Sequence, residues 1–208
     1  MPLIDAHHPT ALPRAAQAVR AGQIVALPTD TVYGIGVDPA NSAAIDRLLA
    51  AKGRGRSLPP PVLLADAALL PELASALTPA ARRLAAAYWP GALTLVVTAH
   101  AHLGWDLGQT GGTVALRVPD DAVARALLAQ TGPLAVTSAN LHGHPPATTA
   151  AEVVAQLGAA LAVVLDDGPR ATSAASTIVD VTGPEPRILR SGAVAPAALL
   201  ATGQEERR

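Results

Sequence analysis

Helix-length amphipathic segments alternate with short apolar runs along the whole of this chain, and that alternation restricts it to an α/β layered domain. Thr10 to Arg20 carries helical spacing and stops at Gly22, and QIVALP at 23–28 then reads as a buried strand. The spacing predicts a second helix over Ser42 to Ala51, with Ile45, Leu48 and Leu49 turned to the core. VLLA at 62–65 is a strand candidate. Thr78 before Pro79 predicts a capped helix that ends before Pro90. ALTLVV (92–97), TVALRV (113–118) and LAVT (134–137) read as strands, with a helix over 120–130 between the last two. Thr149 and Glu152 stand at capping-box spacing and open a helix toward Leu157. LAVVLD, STIVDV and RILR supply three closing strands, followed by a short helix from Pro196. With no internal repeat, low-complexity linker or boundary, the expectation is one domain over residues 1–208, its core at about 10–200 and residues 203–208 a frayed tail.

Composition narrows the function. At 208 residues the chain can bury a sizeable core without metals or disulfides. Aromatic residues are 2% with no phenylalanine, so the core must be alanine, leucine and valine, and little is left for stacking nucleic-acid bases. The absence of cysteine removes thiol nucleophiles and cysteine-ligated metals. A net charge of -1 gives no global pull toward nucleic acid or acidic lipid, so any anion binding must come from local clustering. The opening MPLIDAHHPT has no basic segment followed by an apolar run, and no stretch approaches the ~20 apolar residues of a membrane span. A cytoplasmic protein without membrane association is therefore expected.

Four segments carry chemistry. PTDTVYGIG at 28–36 follows a strand, where α/β sheets place their ligands, and gathers two threonine hydroxyls, a carboxylate and a phenol. KGRGRS at 52–57 interleaves three cations with glycines at a helix end. Lys52 is the chain's lone lysine beside fourteen arginines. A helix C-terminus favours cations and a glycine stop, which explains one or two of these residues. It does not explain a lysine, whose compact ammonium differs from the wide planar fork of a guanidinium. In VTSAN at 136–140, Ser138 and Asn140 alternate in an extended segment and so project to one face. Lastly, Thr113 and Arg117 share a strand face, Ser176 opens a strand and Arg190 closes RILR. Arginines in strands this apolar are anion ligands or members of buried ion pairs.

Other chemistries fall away. No Walker loop is present, because glycine follows Lys52, and no G-x-G-x-x-G follows a strand. The pairs His7-His8, His100/His102 and His142/His144 lack cysteine or close carboxylates, which argues against zinc. No serine sits in a G-x-S-x-G elbow.

Taken in order, PTDTVYGIG, KGR, WPGALTLVV, TVALRVP, TSAN, STIVDV and RILRSG resemble the YrdC-like family of L-threonylcarbamoyladenylate synthases in its single-domain form. The resemblance implies an open, twisted mixed sheet with flanking helices around a large, positively charged cleft. It implies a nucleotidyltransferase that makes threonylcarbamoyl-AMP and pyrophosphate from L-threonine, bicarbonate or CO2, and ATP. The product serves threonylcarbamoyl modification of transfer RNA at position 37 by a downstream transferase machinery. Carried over by position, Lys52, Arg54, Ser138 and Asn140 are the catalytic set near the ATP phosphates, with Thr113 and Arg190 also on the nucleotide side. Thr31, Arg117 and Ser176 surround threonine, Arg117 pairing its carboxylate. Magnesium is expected to travel with ATP, with no protein metal site.

The chain departs from the family pattern at Leu58, Pro60 and Leu63, where polar contacts or a Pro-Leu step are usual, and at Pro146, often serine. Two other readings use the same features: a double-stranded RNA or ribosome-binding module in the same cleft, and a carbamoyl-adenylate transferase of the hydrogenase-maturation type. Net charge and scarce aromatics weigh against the first.

Overall fold

A computed structural model describes residues 3–204. In chain order the elements are β1 (Leu3–Asp5), α1 (Ala11–Arg20), β2 (Ile24–Leu27), β3 (Gly34–Val37), α2 (Ser42–Lys52) and β4 (Val62–Leu63). Then come α3 (Leu70–Leu73), β5 (Ala74–Ala76), α4 (Pro79–Tyr88), β6 (Leu93–Ala99), β7 (Thr113–Arg117) and α5 (Ala122–Thr131). The chain closes with β8 (Leu134–Ser138), α6 (Ala150–Leu157), β9 (Leu161–Asp166), β10 (Thr177–Asp180), β11 (Arg187–Arg190) and α7 (Pro196–Gln204). Of the tail expected to fray, Gly203 and Gln204 belong to α7, and 205–208 lie outside the described residues.

The strands form one mixed sheet in the order β1-β9-β2-β3-β8-β4-β7-β6-β10-β11, with β5 added to the far end of β6. Helix ends follow local chemistry. Asn41 caps α2 by accepting from the Ala44 amide, Thr78 caps α4 ahead of Pro79, and the Thr149/Glu152 capping box forms at α6. Strand β3 is not expected from the sequence, where PTDTVYGIG is placed only as the segment that follows a strand; that segment's last three residues, Gly34 to Gly36, are paired on both sides. Its glycines are packing residues. A Cβ on Gly34 would meet Val136 Cγ1 at 2.6 Å, and one on Gly36 would meet Val136 Cγ2 at 2.9 Å.

Residues paired across strands share a face, so the register sorts the sheet into two sides. One side carries Ala26, Ile35, Ala135, Val62, Leu116, Leu95 and Val179 into the larger core cluster, with residues of α2, α4, α6 and α7. The other side presents Val25, Leu27, Val136, Leu134 and Leu63 to α1 and α5. That second cover stops there. Beyond Leu63 the same face continues through Arg117 to Thr94, Ile178 and Arg190, which are not in the cluster under α1 and α5. Among the described residues no helix is long and apolar enough to cross a membrane.

Candidate functional site

The uncovered half of this face is the floor of a cleft of about 1380 Å³, solvent mouth included, lined by strand and loop residues without a helix. Its walls are the 29–34 stretch, the Pro59-Pro60-Pro61 run, the 107–113 loop and the Ser176/Arg190 edge. Arg54, Arg117 and Arg190 line it and no carboxylate does.

Helix α2 delivers the first cations. Ile45, Leu48 and Leu49 bury its inner face, so its last residue, Lys52, is held in the interior at 3% exposure. Gly53 takes the left-handed conformation, φ +65°, and sends the Gly53 and Arg54 amides back to the Ala50 and Leu49 carbonyls. This turn aims Arg54 into the cleft while Lys52 stays behind the wall. The Lys52 ammonium donates to the Ser138 carbonyl at 2.6 Å, to Ser138 Oγ at 3.0 Å and to Asn140 Oδ1. Ser138 and Asn140 therefore converge on the lysine rather than standing side by side toward a ligand, because the chain turns after β8 and the Asn140 amide bonds the Ser138 carbonyl. Arg54 makes one long bond, Nη1 to Thr137 Oγ1 at 3.5 Å, and its Nε has no partner among the described residues. Arg56 turns away and ion-pairs with Asp46 and Asp106, joining α2 to the 104–112 loop.

Arg117 is the buried ion pair. Its Nη2 meets Asp30 Oδ1 at 2.5 Å, Nη1 donates to Thr31 Oγ1 at 3.1 Å and Nε to the Gly91 carbonyl at 2.9 Å. One N–H on each terminal nitrogen is left over. Burial lowers its pKa and the Asp30 charge opposes that. Asp30, in the middle of PTDTVYG, is a site residue the sequence reading passed over, although a carboxylate between two threonines signals it. Thr31 Oγ1 also meets Thr29 Oγ1 at 3.0 Å, and Thr29 donates to the Val32 carbonyl.

Across the cleft Arg190 grips the residue next to it. Nε and Nη2 reach the Ser176 carbonyl at 3.1 and 2.8 Å, and Nη2 also reaches Ser176 Oγ at 3.0 Å. Ser176 Oγ is 2.8 Å from Thr94 Oγ1, a second missed residue, legible only as the one hydroxyl in ALTLVV. Desolvation, then the charges of Arg117 and Arg54, lower the Arg190 pKa, which ties the three arginines into one field. Thr113 lines the cleft with its hydroxyl proton given to the Thr110 carbonyl at 2.7 Å, leaving it an acceptor. Leu63 sits beside Arg117 in register, and Leu58 at the mouth is 49% exposed with Leu189 at 50%. Pro60 lines the wall, and Pro146 does not. Among the described residues no group of three His, Cys, Asp or Glu could hold a metal.

The Sua5/YciO/YrdC family model, described as "Telomere recombination", matches residues 17–192. A Mycobacterium tuberculosis (strain ATCC 25618 / H37Rv) protein named "Putative threonylcarbamoyl-AMP synthase" is 51% identical over 180 residues, covering 86% of this chain and 83% of that one. The threonylcarbamoyl-AMP synthase of Bacillus subtilis (strain 168) is 36% identical over 184 residues, covering 87% of this chain and 53% of its own length. Among solved structures, P. abyssi Sua5 complexed with L-threonine superposes with a TM-score of 0.86 at 32% identity, covering 92% of this chain and 56% of that one.

Proposed function

Because the chain belongs to the Sua5/YciO/YrdC family, we propose that it is a threonylcarbamoyl-AMP synthase, joining L-threonine, carbon dioxide or bicarbonate, and ATP into threonylcarbamoyl-AMP and pyrophosphate. The observation that carries this reading is the unsatisfied Arg54 guanidinium, facing the cleft near Ser138 and within the field of Arg117 and Arg190. A half-buried guanidinium whose inner nitrogen has no protein partner is a site for an anion.

The unprotonated threonine amine attacks carbon dioxide, forming the N–C bond and releasing a proton to solvent. A carbamate oxygen then attacks the α-phosphorus of ATP in line, and the P–O bond to the β-phosphate breaks with its electron pair leaving on pyrophosphate. Neither step forms a bond to the protein, and the chain contains no cysteine to form one. Positioning and charge stabilisation therefore carry the catalysis. In this reading Arg54 and Ser138 take the departing phosphates, with Lys52 and Asn140 behind them, and Thr113 and Arg190 hold the nucleotide. The two free N–H groups of Arg117 suit the threonine carboxylate, with Thr31 and Ser176 alongside. Magnesium enters as part of the ATP substrate. The product is a reactive mixed anhydride that a cytoplasmic tRNA-modifying transferase must consume.

The test is to incubate purified protein with Mg-ATP, L-threonine and bicarbonate and to follow pyrophosphate and the adenylate together. Threonine-dependent release of both is expected. No such release, with salt-sensitive RNA binding in its place, would support the RNA-binding reading instead.

A further inference from the structure

Three donors are all that an ammonium has, and Lys52 spends all three on two residues of one turn. The arrangement is fixed from both sides. Asn140 Nδ2 donates to the Leu141 carbonyl at 3.0 Å and the His144 carbonyl at 2.7 Å, so its Oδ1 must face the lysine. At the backbone, the His142 amide bonds the Lys52 carbonyl at 3.0 Å, holding the helix end against the loop.

Ser138 is the one residue of this cluster that also lines the cleft, and its Oγ has no other hydrogen-bond partner among the described residues. A hydroxyl that accepts from an ammonium keeps one proton to donate, and charge repulsion turns that proton away from the lysine. Away from the lysine is the cleft. We propose that Lys52 is a positioning residue, which acts on the phosphates through Ser138, and that Ser138 Oγ and Arg54 are the groups in direct contact with them. This explains why the residue is a lysine: three acceptors converge on one point, which suits a tetrahedral ammonium and not a planar fork. The proposal rests on the synthase reading for the identity of the anion but not for the geometry.

The lone lysine permits a direct test in the unaltered protein. With lysine labelled with nitrogen-15, one Nζ resonance reports Lys52 at mildly acidic pH, and inorganic pyrophosphate is the probe. The expected result is an ammonium protected from exchange, unchanged in its bonding by pyrophosphate and showing no coupling to phosphorus-31. A phosphorus-31 coupling at Nζ would overturn the proposal. A mutant cycle on pyrophosphate affinity gives a second measurement. Lys52→Met and Ser138→Ala should each weaken binding about ten- to a hundredfold, the range for hydrogen bonds to charged groups. The double variant should bind no more weakly than Ser138→Ala alone; losses that multiply would mean separate contacts and overturn it. Should Lys52→Met fail to fold, the labelled protein still decides. Failure of the synthase reading would show separately, as absent threonine-dependent turnover in a protein that still binds pyrophosphate.

Discussion

Burial, followed by the neighbouring charge of Arg54, lowers the Lys52 pKa from an ordinary 10.5 to about 8. The sign of the consequence differs for activity and for stability. When the folded protein loses this proton, the ammonium can no longer donate all three bonds, the Ser138 proton is free to turn back, and kcat/KM should fall with a midpoint near pH 8. The unfolded chain holds the same proton up to about pH 10.5, so between the two values it binds more protons and this group makes folding more favourable as pH rises. Activity should therefore drop across a range in which the thermal midpoint shows no loss from Lys52. A kcat/KM profile flat until the protein unfolds would show that the lysine proton is not needed. For Arg54, replacement by alanine removes the least satisfied of the three cleft arginines and should lower kcat/KM by about 10²–10³, measured as pyrophosphate release at limiting ATP. Truncating a guanidinium with few protein partners should leave the melting temperature near that of the parent.

The cleft edge formed by β10 and β11 depends on one glycine. A Cβ on Gly192 would lie 2.6 Å from both the Ser176 carbonyl carbon and its oxygen and would also meet the Ala175 carbonyl. Those atoms are backbone and cannot rotate aside, so Gly192→Ala must push the segment after β11 away from Ser176, which Arg190 grips from the same side. Overpacking of this kind costs about 1–3 kcal/mol, and if threonine sits beside Ser176 as proposed, the displacement should raise the KM for threonine. Gly183, in the turn between the same two strands, has open space around its would-be Cβ, so Gly183→Ala should change neither quantity. Equal effects of the two changes on KM would refute the argument.

Elements with strong patterns were readable in advance, as α2, α4 and α6 show, each with a cap written in side chains. Strand β3 was not, because Gly34 and Gly36 remove the apolar alternation that marks a strand, and their reason lies 100 residues on in Val136. β1 and β5 have three residues each, too few for a period to appear. In the site, residue types were legible and partners were not. Nothing near Lys52 in sequence predicts that Ser138 and Asn140 take its whole ammonium, since that contact exists only once β8 ends against α2.

On the scale of the whole molecule, the site follows from incomplete cover. One sheet face is packed by α2, α3, α4, α6 and α7, the other by α1 and α5 over only part of its width, and the remainder collects Arg54, Arg117 and Arg190. Among the lining residues no carboxylate answers them, and Asp30 behind the wall answers only Arg117. The folded state therefore carries unrelieved repulsion that an anion in the cleft removes, whereas the unfolded chain disperses the same charges. A ligand bound only by the folded state at 100 times its Kd adds about 2.7 kcal/mol. For a domain of 150–250 residues that corresponds to a rise in melting temperature of roughly 5–10 °C. Mg-ATP or pyrophosphate should produce this rise at constant ionic strength and sodium chloride should not. Because the field is shared, Arg54→Ala should shrink the shift and Arg56→Ala, whose cation is engaged outside the cleft by Asp46 and Asp106, should preserve it. An equal shift with chloride, or an undiminished one in Arg54→Ala, would mean that the stabilising anion binds elsewhere.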